Sequence, residues 1–293
     1  VGIHGIGNHR PGETAETASL RLSAIWARGL GVDPSAVEVV YYADLLRAPG
    51  RQSDDDDLDG LTDPEAELLS HVLESLPVAS SRAVPQGRLT SLHRAYLADL
   101  AASWACSTRV MEWFMVRLVK EVAAYQAVGG ARKAVQARLG AALERVRPDV
   151  VIAHSLGSVV AYETLHLAPR TTSVPLWVTL GSPLALPKAV FDRLSPAPVD
   201  GRGCRPAAVR RWANLADRGD LVALPPKGIS RRFGGVESDE DCSIHIADFH
   251  QVTNYLKTRR LAALLDTVRA GRVNGDRHRH RDGDRHRDGA SHG

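Results

Sequence analysis

Apolar positions along the chain switch repeatedly between the period of a strand and the period of a helix. Val1 to Gly7, VGIHGIG, is a short apolar segment turning into glycines, and Asn8 to Gly12 is loop. Ala18, Leu22, Ile25, Trp26 and Leu30 share one face of a predicted helix over Glu13–Leu30, closed by Gly29 and Gly31. VEVVYY, Val37–Tyr42, reads as a buried strand, and Pro49–Glu67 as loop. Helices are predicted over Leu68–Leu76, through most of Leu89–Val128, and over Ala131–Val146, with loop over Pro77–Gly87. The strand Val150–Ala153 then passes through one sharp turn into a helix carrying Val159, Val160, Tyr162, Leu165 and Leu167. Two further strands, Pro175–Leu180 and Val209–Leu215, precede a loop-like stretch over Lys227–Ser243 and a last helix, Gln251–Val268. Strands alternating with helices predict an α/β fold of three layers, a mostly parallel twisted sheet with helices on both faces. Its domain spans residues 1–270, with a helical insertion at about 50–128.

Composition narrows the classes of function. A net charge of +3, with basic and acidic residues interleaved, offers no stripe for nucleic acid. Cys106, Cys204 and Cys242 lack the paired spacing of a metal site or disulfide framework and favour a reducing, cytoplasmic compartment. No apolar run approaches the roughly 20 residues of a membrane span, and the opening on Val1 reads as a trimmed start. The run Asp54 to Asp57 lacks the alternation and glycine of a calcium loop and reads as a solvated turn. Gly271–Gly293, built of Arg, His, Asp and Gly, is expected to be a disordered tail.

Chemistry concentrates where the strand at 150 turns into its helix. Ala153-His154-Ser155-Leu156-Gly157 has small residues flanking a serine, as a nucleophile elbow requires. His4-Gly5-Ile6-Gly7 lacks the spacing of a dinucleotide loop but suits an oxyanion loop, with the Ile6 N–H as donor. A serine hydroxyl needs a base and a group to orient that base. Asp220 and Asp217 both follow the Val209–Leu215 strand, and Asp220 is favoured because Leu221 to Pro226 anchors the loop behind it. His250, just before the last helix, is preferred as base over His245, while His4 and His154 read as shaping residues. Val110–Val116 is the most apolar and aromatic stretch; it packs on the core or presents Trp113, Phe114 and Met115 to an acyl chain or lipid surface.

HGIG, AHSLG, VTLGSP, the Trp212–Pro226 segment and DFHQVTNYL, taken in that order, resemble the α/β-hydrolase superfamily, in particular its lipase and serine-esterase branch that includes GPI-inositol-deacylase-like proteins. Ala153 departs from the usual first glycine of the elbow, and the strands that usually precede HGIG are absent. The resemblance implies an α/β-hydrolase fold over Val1 to about Val268 and a triad of Ser155, Asp220 and His250. It further implies an oxyanion hole from the Ile6 and Leu156 N–H groups and hydrolysis of a carboxylic ester, lipid or small, without metal or organic cofactor. Acyl transfer or amide cleavage would use the same triad. A non-catalytic binding module with this fold, contacting a partner or lipid through residues 110–116, is the alternative from another class.

Overall fold

The computed structural model describes residues 1–47, 57–76, 89–104, 106–127, 130–244 and 250–271. Six strands form one sheet: β1 (Gly2–Ile3), β2 (Val39–Val40), β3 (Val150–His154), β4 (Val174–Leu180), β6 (Val209–Ala216) and β8 (Ser238–Asp241), in spatial order β2-β1-β3-β4-β6-β8. Every pairing in this sheet is parallel. A separate parallel pair joins β5 (Gly203–Cys204) to β7 (Phe233–Gly234). Chain order reverses between β1 and β3, which opens a crevice at the carboxyl ends of those two strands.

Alternation along the strands divides the core between two faces. Val151, Ala153 and Trp177 point into the larger cluster, built with α2 (Asp63–Glu74), α3 (Leu89–Ser103), α4 (Thr108–Gln126), α5 (Ala131–Val146) and α6 (Leu156–Leu167). Ile152, Leu176, Val178 and Leu180 point to the other face, against α1 (Ala15–Leu30), α8 (Val252–Leu256) and Leu261 of the helix at 259–271. Helices thus cover both faces of a parallel sheet, an arrangement compatible with three α/β/α layers. Among the described residues no helix is long and apolar enough to cross a membrane.

Several boundaries differ from the sequence pattern. The α2 helix starts at Asp63, inside the predicted loop, because Thr62 and Glu65 form a capping box. The predicted long helix is divided into α3, which ends at Ser103, and α4, whose start Ser107 caps. The strand predicted over Val37–Tyr42 keeps only Val39–Val40, since Ala43–Leu46 turns into a 3₁₀ helix. Lys227–Ser243 is not plain loop: it holds α7 (Gly228–Arg232), β7 and β8. The sequence of β8, SDED, has no apolar alternation because polar contacts hold this edge strand. Trp212 Nε1 donates to Thr179 Oγ1 at 3.2 Å, Thr179 Oγ1 to Asn214 Oδ1 at 2.7 Å, and Asn214 Nδ2 to Asp239 Oδ1 at 2.8 Å. The last helix divides at Lys257–Thr258 into α8 and the helix at 259–271. The loop predicted over Pro77–Gly87, Asp54 to Asp56 of the acidic run and the tail after Gly271 lie outside the described residues.

One buried charge ties the insertion to the sheet. Glu163 of α6 is fully buried and accepts from Tyr125 Oη at 2.7 Å, Arg132 Nε at 2.7 Å, Gln136 Nε2 at 2.9 Å and the Ser195 N–H at 3.1 Å. Arg132 Nη2 closes a second bond to its other oxygen. Removing one partner of such a pair strands the other, so Arg132→Met is expected to cost about 3–5 kcal/mol in urea unfolding. Arg132→Met/Glu163→Gln should recover a large part of that loss.

Candidate active site

Parallel register brings the carboxyl ends of four strands level. Ile3 pairs with Ala153, His154 with Leu180, and Leu180 with Leu215. The chain leaving these ends carries His4–Gly5–Ile6, Ser155, Gly181 and the 217–220 turn. The sequence-predicted groups therefore emerge on one edge.

Ser155 forms the turn itself. Its backbone sits at φ 54° and ψ −132°, outside the helical and extended regions, and its side chain is fully buried. Four contacts hold this conformation. The Ser155 N–H donates to Leu180 O at 3.0 Å, continuing the sheet, and Ser158 Oγ donates to Ser155 O at 2.6 Å. Ser182 Oγ backs Ser158 at 2.6 Å. Gly157 packs so closely that a β-carbon there would lie 2.7 Å from the Ile3 carbonyl oxygen, which explains the small residue after the elbow. Leu156 opens α6, where its N–H has no intrahelical acceptor.

The loop after β1 is fastened around His4. Its Nε2 accepts from the Tyr42 N–H at 3.1 Å and its Nδ1 donates to Gly5 O at 2.7 Å, which fixes the neutral Nδ1–H tautomer. The ring stacks on Tyr42 at 4.2 Å, and Tyr42 Oη donates to His4 O at 2.8 Å. Burial lowers the His4 pKa to about 4. Both nitrogens are thus committed to structure. Asn8 Nδ2 donates to Gly5 O at 3.0 Å, so the Gly5 carbonyl is held twice and the Ile6 N–H across the same planar peptide points the opposite way. Gly5 itself lies against the serine: a β-carbon on it would stand 3.2 Å from Ser155 Oγ.

The structure pairs Asp220 with His250. His250 Nδ1 lies 2.9 Å from Asp220 Oδ1 and 2.8 Å from Oδ2, the aspartate is fully buried, and the Val222 N–H donates to Oδ1 at 3.0 Å. A carboxylate only accepts, so Nδ1 carries the proton and the lone pair of the neutral ring is on Nε2. Asp217 is used otherwise. Its carboxylate accepts from the Gly219 and Ile244 N–H groups, each at 2.6 Å, and shapes the turn that presents Asp220. His245 lies outside the described residues.

Ser155 Oγ, His250 Nε2 and His154 Nε2 are buried with no hydrogen-bond partner among the described residues. Ser155 and His250 meet the same stretch at the end of β4, since Ser155 bonds Leu180 and His250 Cε1 lies 3.3 Å from where a β-carbon of Gly181 would be. That β-carbon would also stand 2.5 Å from Asp220 Oδ2, and Gly181 has φ +52°. Gly181 belongs to this cluster by its packing, which residue chemistry alone does not announce; the LGSP turn after a strand is its signal. The His154 ring lies 4.6 Å from that of His250. Burial, then the neighbouring His250 and His4, hold the His154 pKa well below the usual histidine range.

The helical insertion closes over this edge. Phe114 packs edge-on to His250 at 5.3 Å, and Trp104 Nε1 donates to Gly219 O at 2.6 Å. Met111 and Met115 face the core, whereas Trp113 is 44% and Val110 49% exposed. Of the three residues offered to an acyl chain, Phe114 and Met115 are therefore buried in the core cluster and Trp113 is the exposed one, because the helical repeat turns its neighbours inward.

His4 binds protons less readily folded than unfolded, so its contribution to stability is complete above about pH 6.5 and falls as pH drops toward about 4. Between pH 7 and pH 5 it is expected to remove about 2 kcal/mol, read as a falling urea midpoint, and His4→Asn should flatten that slope. No family model matches the chain, and neither a curated protein nor a solved structure does.

Proposed function

We propose that the protein is a serine hydrolase of the α/β-hydrolase type that cleaves a carboxylic ester through an acyl-enzyme. The observation that carries this reading is the buried His250–Asp220 pair, at 2.8 Å, beside a serine held in a strained strand-to-helix turn. Strain at a non-glycine residue and unpartnered buried polar atoms are both destabilising, and both fall on the groups the chemistry needs.

In this mechanism Ser155 Oγ attacks the acyl carbonyl as His250 Nε2 takes its proton. Asp220 keeps the imidazole in the Nδ1–H tautomer and faces the imidazolium that forms. The Leu156 and Ile6 N–H groups receive the oxyanion, at roughly 3 kcal/mol for each donor in comparable sites. His250 then protonates the leaving alcohol, and a water activated by the same nitrogen releases the acid. Acyl transfer differs only in the nucleophile of the second step. His154, held neutral, adds no charge beside the imidazolium. The proposed substrate is a small or lipid ester, and the exposed Trp113 and Val110 support a lipid contact along α4. Cys106, Cys204 and Cys242 are free thiols, which supports a reducing, cytoplasmic setting.

A second reading, a non-catalytic binding module, draws on the complete burial of Ser155. A fluorophosphonate probe separates the two. Wild type should be labelled and Ser155→Ala should not; equal labelling of both overturns the hydrolase reading. Asp220→Asn is expected to lower kcat on p-nitrophenyl esters by about 10²–10⁴-fold. Gly181→Ala, which pushes a methyl group into the Asp220–His250 contact, should lower the labelling rate by at least about tenfold while circular dichroism shows the fold retained.

A further inference from the structure

Asp220 has an unusual set of partners for a buried carboxylate. It exposes no surface, and among the described residues no lysine or arginine pairs with it; its ion-pair partner is His250. Such a group must be satisfied by neutral donors as well. One is the Val222 N–H. The other is Tyr255 Oη, 2.7 Å from Asp220 Oδ2.

We propose that Tyr255 is a positioning residue of the site, its hydroxyl donating to the Asp220 carboxylate while its oxygen is fixed by the Asp217 N–H. The inference rests on the reading of Ser155, Asp220 and His250 as a hydrolytic triad. The direction of the bond follows from the donors. The Asp217 N–H donates to Tyr255 Oη at 3.0 Å and can only donate, so the phenol proton is left for the carboxylate. Burial and the adjacent Asp220 push the phenol above the usual tyrosine range, which keeps that proton in place. Tyr255 is fully buried in α8, and its ring packs over Gly181, with Cε2 3.2 Å from the β-carbon position there.

Chain connectivity gives this contact its meaning. His250 and Tyr255 lie five residues apart in HQVTNY, so one short segment delivers both the base and a clamp on the acid. The clamp reaches the acid turn at two points, the Asp217 backbone and the Asp220 side chain. Docking of α8 thereby sets the Asp220–His250 geometry, and the phenol proton shares the charge that would otherwise fall wholly on the His250 bond. Removing that proton should make Asp220 hold the imidazolium more tightly, so the base is freed only at higher pH.

Tyr255→Phe keeps the ring and removes the hydroxyl. On a p-nitrophenyl ester, the variant is expected to lose about tenfold in kcat with KM nearly unchanged, and the acid-side midpoint of its kcat/KM profile should rise by about half a pH unit or more. In an Asp220→Asn background the same change should cost less than about twofold, because the residue acts through Asp220. Additive losses in the two backgrounds, or an unmoved pH profile, overturn the inference. Should Tyr255→Phe fail to fold, 3,5-difluorotyrosine at position 255 preserves the hydroxyl and strengthens it as a donor, and the acid-side midpoint should then fall; no movement overturns the inference equally. Wild-type protein inert to both ester and fluorophosphonate overturns the hydrolase reading and this inference with it, whereas an active wild type with additive losses overturns the inference alone.

Discussion

A serine held at φ 54° and ψ −132° persists only because its surroundings over-determine it. The Ser155 N–H is bound by β4, its carbonyl by Ser158, and Ser158 in turn by Ser182. Gly5 lets the loop after β1 lie against Ser155, and Gly157 lets the first turn of α6 lie against Ile3 at the β1 end. The β4 end and the loop after β1 thus both meet at Ser155, so the turn depends on the register of the parallel sheet. The crevice where chain order reverses, between β1 and β3, is where the His4–Ile6 loop and Ser155 come together.

Charge is rationed around that turn. Among the described residues three histidines lie at or beside it, and burial keeps two of them, His4 and His154, neutral down to acidic pH. Only His250 is given a carboxylate, and that carboxylate has neutral donors from Val222 and Tyr255. Of these three rings, the one with a carboxylate partner is therefore His250. The same low-dielectric setting makes every unpartnered polar atom there costly, and it leaves Ser155 Oγ and His250 Nε2 as the groups with most to gain from a reacting molecule.

The helical insertion is part of this site. Phe114 touches His250, and Trp104 holds the turn that carries Asp220. The Glu163 network joins α4, α5 and α6, so the helix bearing Phe114 is anchored to the helix that begins just after Ser155. Packing of the insertion and geometry of the site are therefore linked, and the exposed Trp113 sits one residue from the contact with His250.

Local physics was legible in the chain itself. Small residues around Ser155, helical spacing over Ala131–Val146, the β-branched run at 150 and the short strand-like stretch at 209 each reflect interactions within a few residues, and the structure has an element at each of those places. Beginnings set by a capping box, as at Thr62, were also written there, though apolar spacing alone does not read them. What required tertiary structure was every choice between distant segments. Asp217 and Asp220 have the same side chain three residues apart, and only the approach of a later segment gives the His250 ring to one and the Ile244 N–H to the other. The strand β8, the glycine at 181 and the phenol at 255 belong to the same class. Their roles are distances across the sheet edge, and a hydropathy pattern carries no information about which strand end arrives beside which.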